Sequence, residues 1–144
     1  MNEDCVIVDA NIAFRCLLSN RGDLRERIGP GGYPNFFSPR FLLVELFKHK
    51  DRLAQASRSA EPELLETLYT LLSRLEFVNE KNIPMGTWIE AYRLCGSIDE
   101  NDTVYVAVTL HLDGQFWTED DKLKKVLRAR GFNRFFIPDK DQRI

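Results

Sequence analysis

A chain of 144 residues suits one compact domain, and we predict a single domain over residues 1–144, with a core of about 5–137 and a short tail at 138–144. Twenty basic side chains against twenty-two acidic ones give a net charge of −2, which excludes attraction of nucleic acid or membranes by a global positive field. The N-terminus is acidic and no apolar run approaches the roughly 18 residues of a membrane span, so we expect a soluble, cytoplasmic protein without membrane contact. Cys5, Cys16 and Cys95 are odd in number, far apart and set among apolar residues, which favours buried thiols over disulfides or a zinc site.

The first informative stretch is the apolar run Cys5–Val8, which leads directly into Asp9 and Asn11. Apolar residues then recur at helical spacing as far as Leu18. This pattern predicts a buried parallel strand that places Asp9 at its carboxyl edge, where open α/β sheets bind their ligands. The alternative is that Asp9 or Asn11 merely caps the following helix.

The next stretch, Ser19–Asn35, is rich in glycine and proline and predicts a long surface loop, either a lid or recognition segment or an ordinary variable loop. A short strand at Asn35–Ser38 follows. The pair Ser38-Pro39 then predicts the start of a helix, with the serine as its N-cap and the proline at its first position.

That second helix, from Pro39 to about Ala56, carries Glu45 on an otherwise apolar face. An unpaired carboxylate there would be costly to bury. Glu45 therefore needs either an ion pair with His49 or an arginine, or a role with a metal or a proton.

The middle of the chain predicts packing elements only: a helix at Glu61–Leu75, a short edge strand at Glu76–Asn79 and a helix at Pro84–Cys95. Leucines at helical spacing form the expected core stripe of the first of these helices: Leu64, Leu65, Leu68, Leu71, Leu72 and Leu75.

The segment Asp99–Asp121 is rich in acids and has no lysine or arginine. It predicts a buried helix over Val104–Leu112 that is entered through Asp99 and Asp102, and then a strand at Gln115–Trp117. The alternative for the entry acids is helix capping, and Ser97 with Glu100 also matches a capping box.

A last helix at Lys122–Arg130 stops at Gly131, and Arg134–Ile137 is predicted as a closing strand. Strands that alternate with helices in this way predict an α/β fold with a central parallel sheet flanked by helices.

Three acids, Asp9, Asp102 and Asp120, are predicted at strand edges or helix starts on one side of this sheet, where Glu45 could face them. Carboxylates held close together repel each other, and a cation stabilises their ionised state. Oxygen ligands suit Mg²⁺ or Mn²⁺, which activate water and neutralise the charge that develops on a phosphate during cleavage.

Four segments in this order resemble the PIN domain family of metal-dependent ribonucleases, and the resemblance covers almost everything from Cys5 to Ile137. They are Val-Asp-Ala-Asn at 8–11, Ser-Pro-Arg-Phe-Leu-Leu-Val-Glu-Leu at 38–46, Asp-Glu-Asn-Asp-Thr-Val-Tyr-Val-Ala-Val at 99–108, and Phe-Trp-Thr-Glu-Asp at 116–120. The resemblance implies a PIN-like three-layer fold with the central parallel sheet between helices.

The resemblance also implies a catalytic and metal-binding acidic cluster, with Asn11 and Thr118 positioning it through hydrogen bonds. Its members would be Asp9, Glu45, Asp102 and Asp120, with Asp99 as a further metal ligand. Asp99 is the alternative to Asp102, and Asp121 is the alternative to Asp120. We favour Asp102 because it directly precedes the buried helix, and Asp120 because it stands two residues after Thr118.

The function implied by the resemblance is a metal-dependent endoribonuclease. Small members of the family are commonly toxins with a cognate antitoxin, often as homodimers, and this role is an expectation from resemblance alone. The alternative is a catalytically inactive PIN-like module that binds RNA or protein and uses its acids as helix caps.

Binding of an RNA strand would need local cations, because the net charge is negative. The candidates near the site are Arg40, Lys122, Lys125 and Arg128, and the alternative is that they form ordinary solvated helix faces. Tyr33 and Trp117 could stack on unpaired bases, with core packing as the alternative for Trp117.

Overall fold

The computed structural model describes residues 2–18, 35–56, 61–96 and 98–138. Within these ranges the chain forms four β-strands and seven α-helices. Their bounds are β1 Cys5–Val8, α1 Ala10–Leu18, β2 Asn35–Pro39, α2 Phe41–Lys48, α3 Lys50–Ala56, α4 Glu61–Ser73, β3 Glu76–Val78, α5 Met85–Cys95, α6 Glu100–Leu112, β4 Gln115–Trp117 and α7 Asp121–Ala129, with a 3-10 turn at Glu80–Asn82. The loop predicted at Ser19–Asn35, apart from Asn35 itself, lies outside the described residues, as do Ser97, Tyr33 and the tail from 139 onward.

The four strands form one parallel sheet in the order β3-β2-β1-β4, so the α/β fold and the parallel sheet predicted from the sequence are confirmed. Every residue of β1 is buried. Because successive side chains of a strand point to opposite faces, both faces of the sheet must be covered. The helices provide that cover in two groups: α1 packs with α2, α3 and α4, while α6 packs with α5 and against β1 and β2.

The registers of the strands decide which residues meet at the carboxyl edge of the sheet. Val8 is paired with Trp117, so Asp9 and Thr118 leave their strands side by side. The backbone N–H of Asp9 donates to the carbonyl of Trp117 at 3.3 Å, which holds the carboxyl ends of β1 and β4 together. Side chains that are more than 100 residues apart in sequence are thereby placed next to each other.

The turn between α6 and β4 depends on close packing at the opposite edge of the sheet. Asp113 ends the helix in the left-handed region at φ 53. A Cβ atom on Gly114 would lie 2.6 Å from the carbonyl oxygen of Cys5, so only glycine allows β4 to lie this close to β1.

The predicted helix start at Ser38-Pro39 is wrong, because both residues belong to β2. The Ser38 hydroxyl donates to the carbonyl of Val8 at 3.1 Å and is therefore not a cap. The helix begins instead at Phe41, whose N–H donates to the Glu80 carboxylate at 2.8 Å. The sequence predicted Ser38 as the cap of this helix, but the cap is a side chain of the distant 3-10 turn.

Three other expectations also need correction. The helix predicted up to Ala56 is interrupted at His49 and forms α2 and α3. Leu65 is exposed and does not belong to the core stripe. The predicted strand at Arg134–Ile137 is a single bridge between Phe116 and Phe135, because β4 is only three residues long and Pro138 has no N–H to extend the pairing.

Candidate active site

Asp9 lies at the carboxyl end of β1 and is only 4% exposed. One carboxylate oxygen accepts the N–H of Ile12 at 2.9 Å, so Asp9 does cap α1, and the hydroxyl of Thr118 also bonds to this carboxylate. Burial raises the pKa of Asp9 to about 6, and the negative charges of Asp120 and Glu45 add to the rise against the opposing effect of these hydrogen bonds. Capping alone would not require a carboxylate in such an unfavourable place.

Thr118 connects Asp9 to the acid that follows β4. Its side chain is 1% exposed, and its hydroxyl oxygen accepts the N–H of Asp120 at 3.2 Å. Asp120 in turn caps α7 by accepting the N–H of Leu123 at 3.1 Å. The exposed Asp121 is the first residue of α7, and it is Asp120 whose charge acts on Asp9 and Asp102.

The two acids at the start of α6 differ in environment. Asp99 is exposed and caps the helix, with its side chain accepting the N–H of Asn101 at 2.9 Å. Asp102 lies in the first turn and is partly buried. Burial raises the pKa of Asp102 to about 7, with further contributions from Asp99, Asp9, Asp120 and Glu45 in that order. Asp102 is therefore the carboxylate on which all the other acids act.

Glu45 projects from α2 and accepts a hydrogen bond from the hydroxyl of Tyr105 at 2.5 Å. Burial raises the pKa of Glu45, while the bond from Tyr105 and the charge of His49 oppose the rise. Burial and the neighbouring Glu45 also raise the pKa of Tyr105, which is 2% exposed. The sequence left open an ion pair with His49 or an arginine, or a role with a metal or a proton. It did not point to Tyr105, whose hydroxyl is the one polar side-chain group of Val104–Val108.

The structure thus brings five predicted acids into electrostatic contact at one edge of the sheet: Asp9, Glu45, Asp99, Asp102 and Asp120. It does not bring Asn11 into this network. Asn11 is exposed in the first turn of α1, and within the described ranges its side chain makes no hydrogen bond to an acid. Asp9 occupies the capping position of α1, and the role of Asn11 in orienting the cluster stays a prediction.

The donor chemistry of this cluster fits a hard divalent cation. All the candidate ligands are carboxylates, and burial together with their mutual repulsion raises the pKa of Asp102, an effect that a bound cation would oppose. No three acid, histidine or cysteine side chains in the described parts of the chain lie in a ready-made metal-binding group. Mg²⁺ usually keeps several of its waters, so it suits such an open set of carboxylates better than an ion that needs a closed cage.

The basic residues predicted to contact RNA have different surroundings. Arg40 bonds to Glu80 and Asn79, and Arg128 lies 4.9 Å above the ring of Phe135. Both are therefore engaged within the fold. Lys122 and Lys125 are exposed on α7, and no ion pair holds either of them in the described structure.

Two further features lie at the rim of the site. Arg15 forms an ion pair with Glu119, which the sequence analysis did not anticipate and which balances the charge of one acid next to Asp120. Trp117 is 1% exposed and packs against Phe36 and Phe136, so it does not stack on bases.

The comparison with known families agrees with the architecture. The family model described as PIN domain matches residues 7–130, a span that includes all five acids of the cluster. The chain therefore belongs to the PIN domain family, whose members are generally nucleases that act on RNA or DNA and generally use divalent metals. No curated protein matches the chain. None of the helices in the described ranges is long and apolar enough to span a membrane.

Proposed function

We propose that this protein is a metal-dependent endoribonuclease that hydrolyses phosphodiester bonds of RNA. The observation that supports it most is the meeting of five carboxylates at the carboxyl edge of the sheet, within the span that the PIN domain model matches. A cluster of this kind destabilises the protein unless a cation binds to it, and destabilised sites of this kind are typical of function.

In this proposal Asp9, Asp102 and Asp120 hold Mg²⁺ or Mn²⁺, and Asp99 assists from the exposed side. The bound ion would activate water and neutralise charge on the cleaved phosphate. The chain's own contribution is orientation. Thr118 bonds to Asp9 and to the N–H of Asp120, so one buried hydroxyl fixes the relative position of two ligands.

Glu45 has a separate role in this proposal. The hydroxyl of Tyr105 bonds to its Oε1, which leaves Oε2 available to orient a water molecule or accept its proton. The raised pKa of Glu45 brings the carboxylate nearer to the range in which a general base is effective at neutral pH.

Replacement of Asp9 by asparagine tests the proposal. Asparagine caps helices as well as aspartate does, so Asp9→Asn should keep the fold and abolish Mn²⁺-dependent cleavage of RNA. The matched control is Asp113→Asn, the same chemical change at the opposite edge of the sheet, where the left-handed conformation also suits asparagine. Full activity of Asp9→Asn, measured with fluorescent RNA, would refute the proposal.

We further propose that the nuclease is the toxin of a toxin-antitoxin pair, blocked by a cognate antitoxin and able to form a homodimer. Its membership of the PIN domain family supports this role. The buried thiols of Cys5, Cys16 and Cys95 fit a reducing compartment, and we place the activity in the cytoplasm. Induction of the wild type, but not of Asp102→Asn, should stop bacterial growth; equal growth of both would refute the toxin role.

The second candidate is a PIN domain that binds RNA or protein without cutting it. It is favoured by the capping roles of Asp9, Asp99 and Asp120, each of which accepts a backbone N–H at a helix start. A Mn²⁺ titration followed by thermal unfolding separates the two candidates, because only a site that binds the ion gains stability from it.

A further inference from the structure

A pocket of about 450 Å³ opens directly beside the acidic cluster, between α1, α3 and the start of α6. We call it the α1–α3 pocket, and its walls include Asn11, Phe14, Leu18, His49, Arg52 and Leu53. Glu45 and Asp99 belong to the acidic cluster and also line the pocket, so the pocket and the cluster share two side chains. A strand whose phosphate lies at the acids would therefore place an adjoining nucleoside at this pocket.

The walls of the pocket combine flat apolar surfaces with polar groups. Asn11, Phe14 and Leu18 recur at positions i, i+3 and i+7 and so share one face of α1. The ring of His49 meets the ring of Phe14 edge to face, with centroids 5.8 Å apart. Leu53 closes the apolar side. Such a lining suits a planar ligand with apolar faces and a polar edge.

Two groups of this pocket lack partners within the described structure. The amide of Asn11 makes no hydrogen bond, although it offers both a donor and an acceptor. Arg52 is exposed and has no ion pair in the described ranges. An amide can pair with a base edge and an arginine can pair with a phosphate, and both contacts recur in nucleic-acid recognition.

We propose that the α1–α3 pocket binds one unpaired nucleobase of the substrate, next to the phosphate that is cut. This inference rests on the proposed nuclease function and names the part of the substrate that binds beside the phosphate that is cut. Phe14 supplies the surface for stacking, Asn11 reads the edge of the base and Arg52 holds the neighbouring phosphate. A base within a duplex cannot enter, because its edge is paired and its faces are stacked.

Binding of short fluorescein-labelled RNA homopolymers of A, C, G and U to the full chain tests this proposal, with Asp9→Asn in the background to prevent cleavage. We expect the protein to prefer one homopolymer and to bind the corresponding duplex more weakly. Phe14→Leu should weaken binding on the order of tenfold, since base stacking on an aromatic ring contributes this much. Asn11→Ala should reduce the preference among the homopolymers. The matched control, Phe47→Leu, changes an exposed phenylalanine outside the pocket and should bind as before.

The outcomes separate the pocket from the function on which it rests. Unchanged affinity and unchanged preference in both Phe14→Leu and Asn11→Ala would overturn the pocket, while Asp9-dependent cleavage would still support the nuclease. A wild type that neither cuts nor binds RNA would overturn the proposed function and the pocket together. If Phe14→Leu fails to fold, the exposed Asn11→Ala and Arg52→Ala give the same test on their own.

Discussion

The acids that follow the strands and the acids carried by the helices occupy one site but have different structural roles. Asp9 and Asp120 follow β1 and β4, and each gives an oxygen to a backbone N–H at a helix start. Asp102 and Glu45 lie within α6 and α2 and cap nothing in the described structure. Helix capping therefore explains in part why Asp9 and Asp120 are aspartates. It does not explain Asp102, which is why Asp102 is the strongest sign that the cluster serves a function.

The largest expected effect follows from that contrast and concerns Asp102→Asn. We expect nuclease activity to fall by more than about a hundredfold, since even indirect disturbance of a metal site costs tenfold to a hundredfold. We also expect the metal-free variant to melt at a higher temperature than the wild type at neutral pH, because the repulsion from the other acids disappears. Activity assays and differential scanning fluorimetry measure the two effects. A variant that keeps its activity, or melts lower than the wild type, would contradict a functional role for Asp102.

The second prediction concerns the pH dependence of stability. Asp9 and Asp102 have pKa values raised to about 6 and about 7, against about 4 in the unfolded chain. Between about pH 4 and pH 7 the folded state therefore binds more protons than the unfolded state. The stability that Asp9 and Asp102 contribute in their protonated form is fully present below about pH 4 and is lost as the pH rises through about 7. Urea unfolding of the metal-free protein should show stability falling over this range.

Added Mn²⁺ should reverse that loss above pH 7 and have less effect near pH 5, where Asp9 and Asp102 are protonated. At about a hundred times its Kd, the ion would add about 2.7 kcal/mol to the free energy of unfolding. A stabilisation by Mn²⁺ that is the same at both pH values would place the ion elsewhere on the protein.

The third prediction tests the support of Glu45. Tyr105→Phe removes the hydroxyl that bonds to Glu45 and should reduce the free energy of unfolding by about 1.5 kcal/mol, the low end for a bond to a charged group, because Glu45 is only partly buried. The loss should nearly vanish in the background of Glu45→Ala, which removes the acceptor, if the bond is its cause. A double-mutant cycle in urea measures this coupling. Additive effects would show that Tyr105 acts through packing alone.

The smallest expected effect concerns capping. Asp120→Ala should cost about 1 kcal/mol through the lost bond to Leu123, whereas Asp120→Asn should keep the cap and the stability. Both variants should lose nuclease activity, because neither retains the negative charge. If Asp120→Asn remains fully active, Asp120 belongs to the fold and not to the metal site.

The sequence by itself determined the main elements and the family. The apolar run before Asp9, the buried stretch after Asp102 and the short strand before Thr118 each predicted an element that the structure contains. These predictions succeeded because they depend on local periodicity and on the burial of parallel strands. The sequence could also propose that acids at the carboxyl ends of parallel strands converge.

Only the tertiary structure decided the partners of those acids. The cap of α2 comes from Glu80, the partner of Glu45 is Tyr105, and Asn11 lines the α1–α3 pocket together with Glu45 and Asp99. Each of these contacts joins residues that lie far apart in the chain, or depends on the direction of a single side chain. Periodicity says which face of an element is buried, but the packing of one element against another decides which polar atoms meet there.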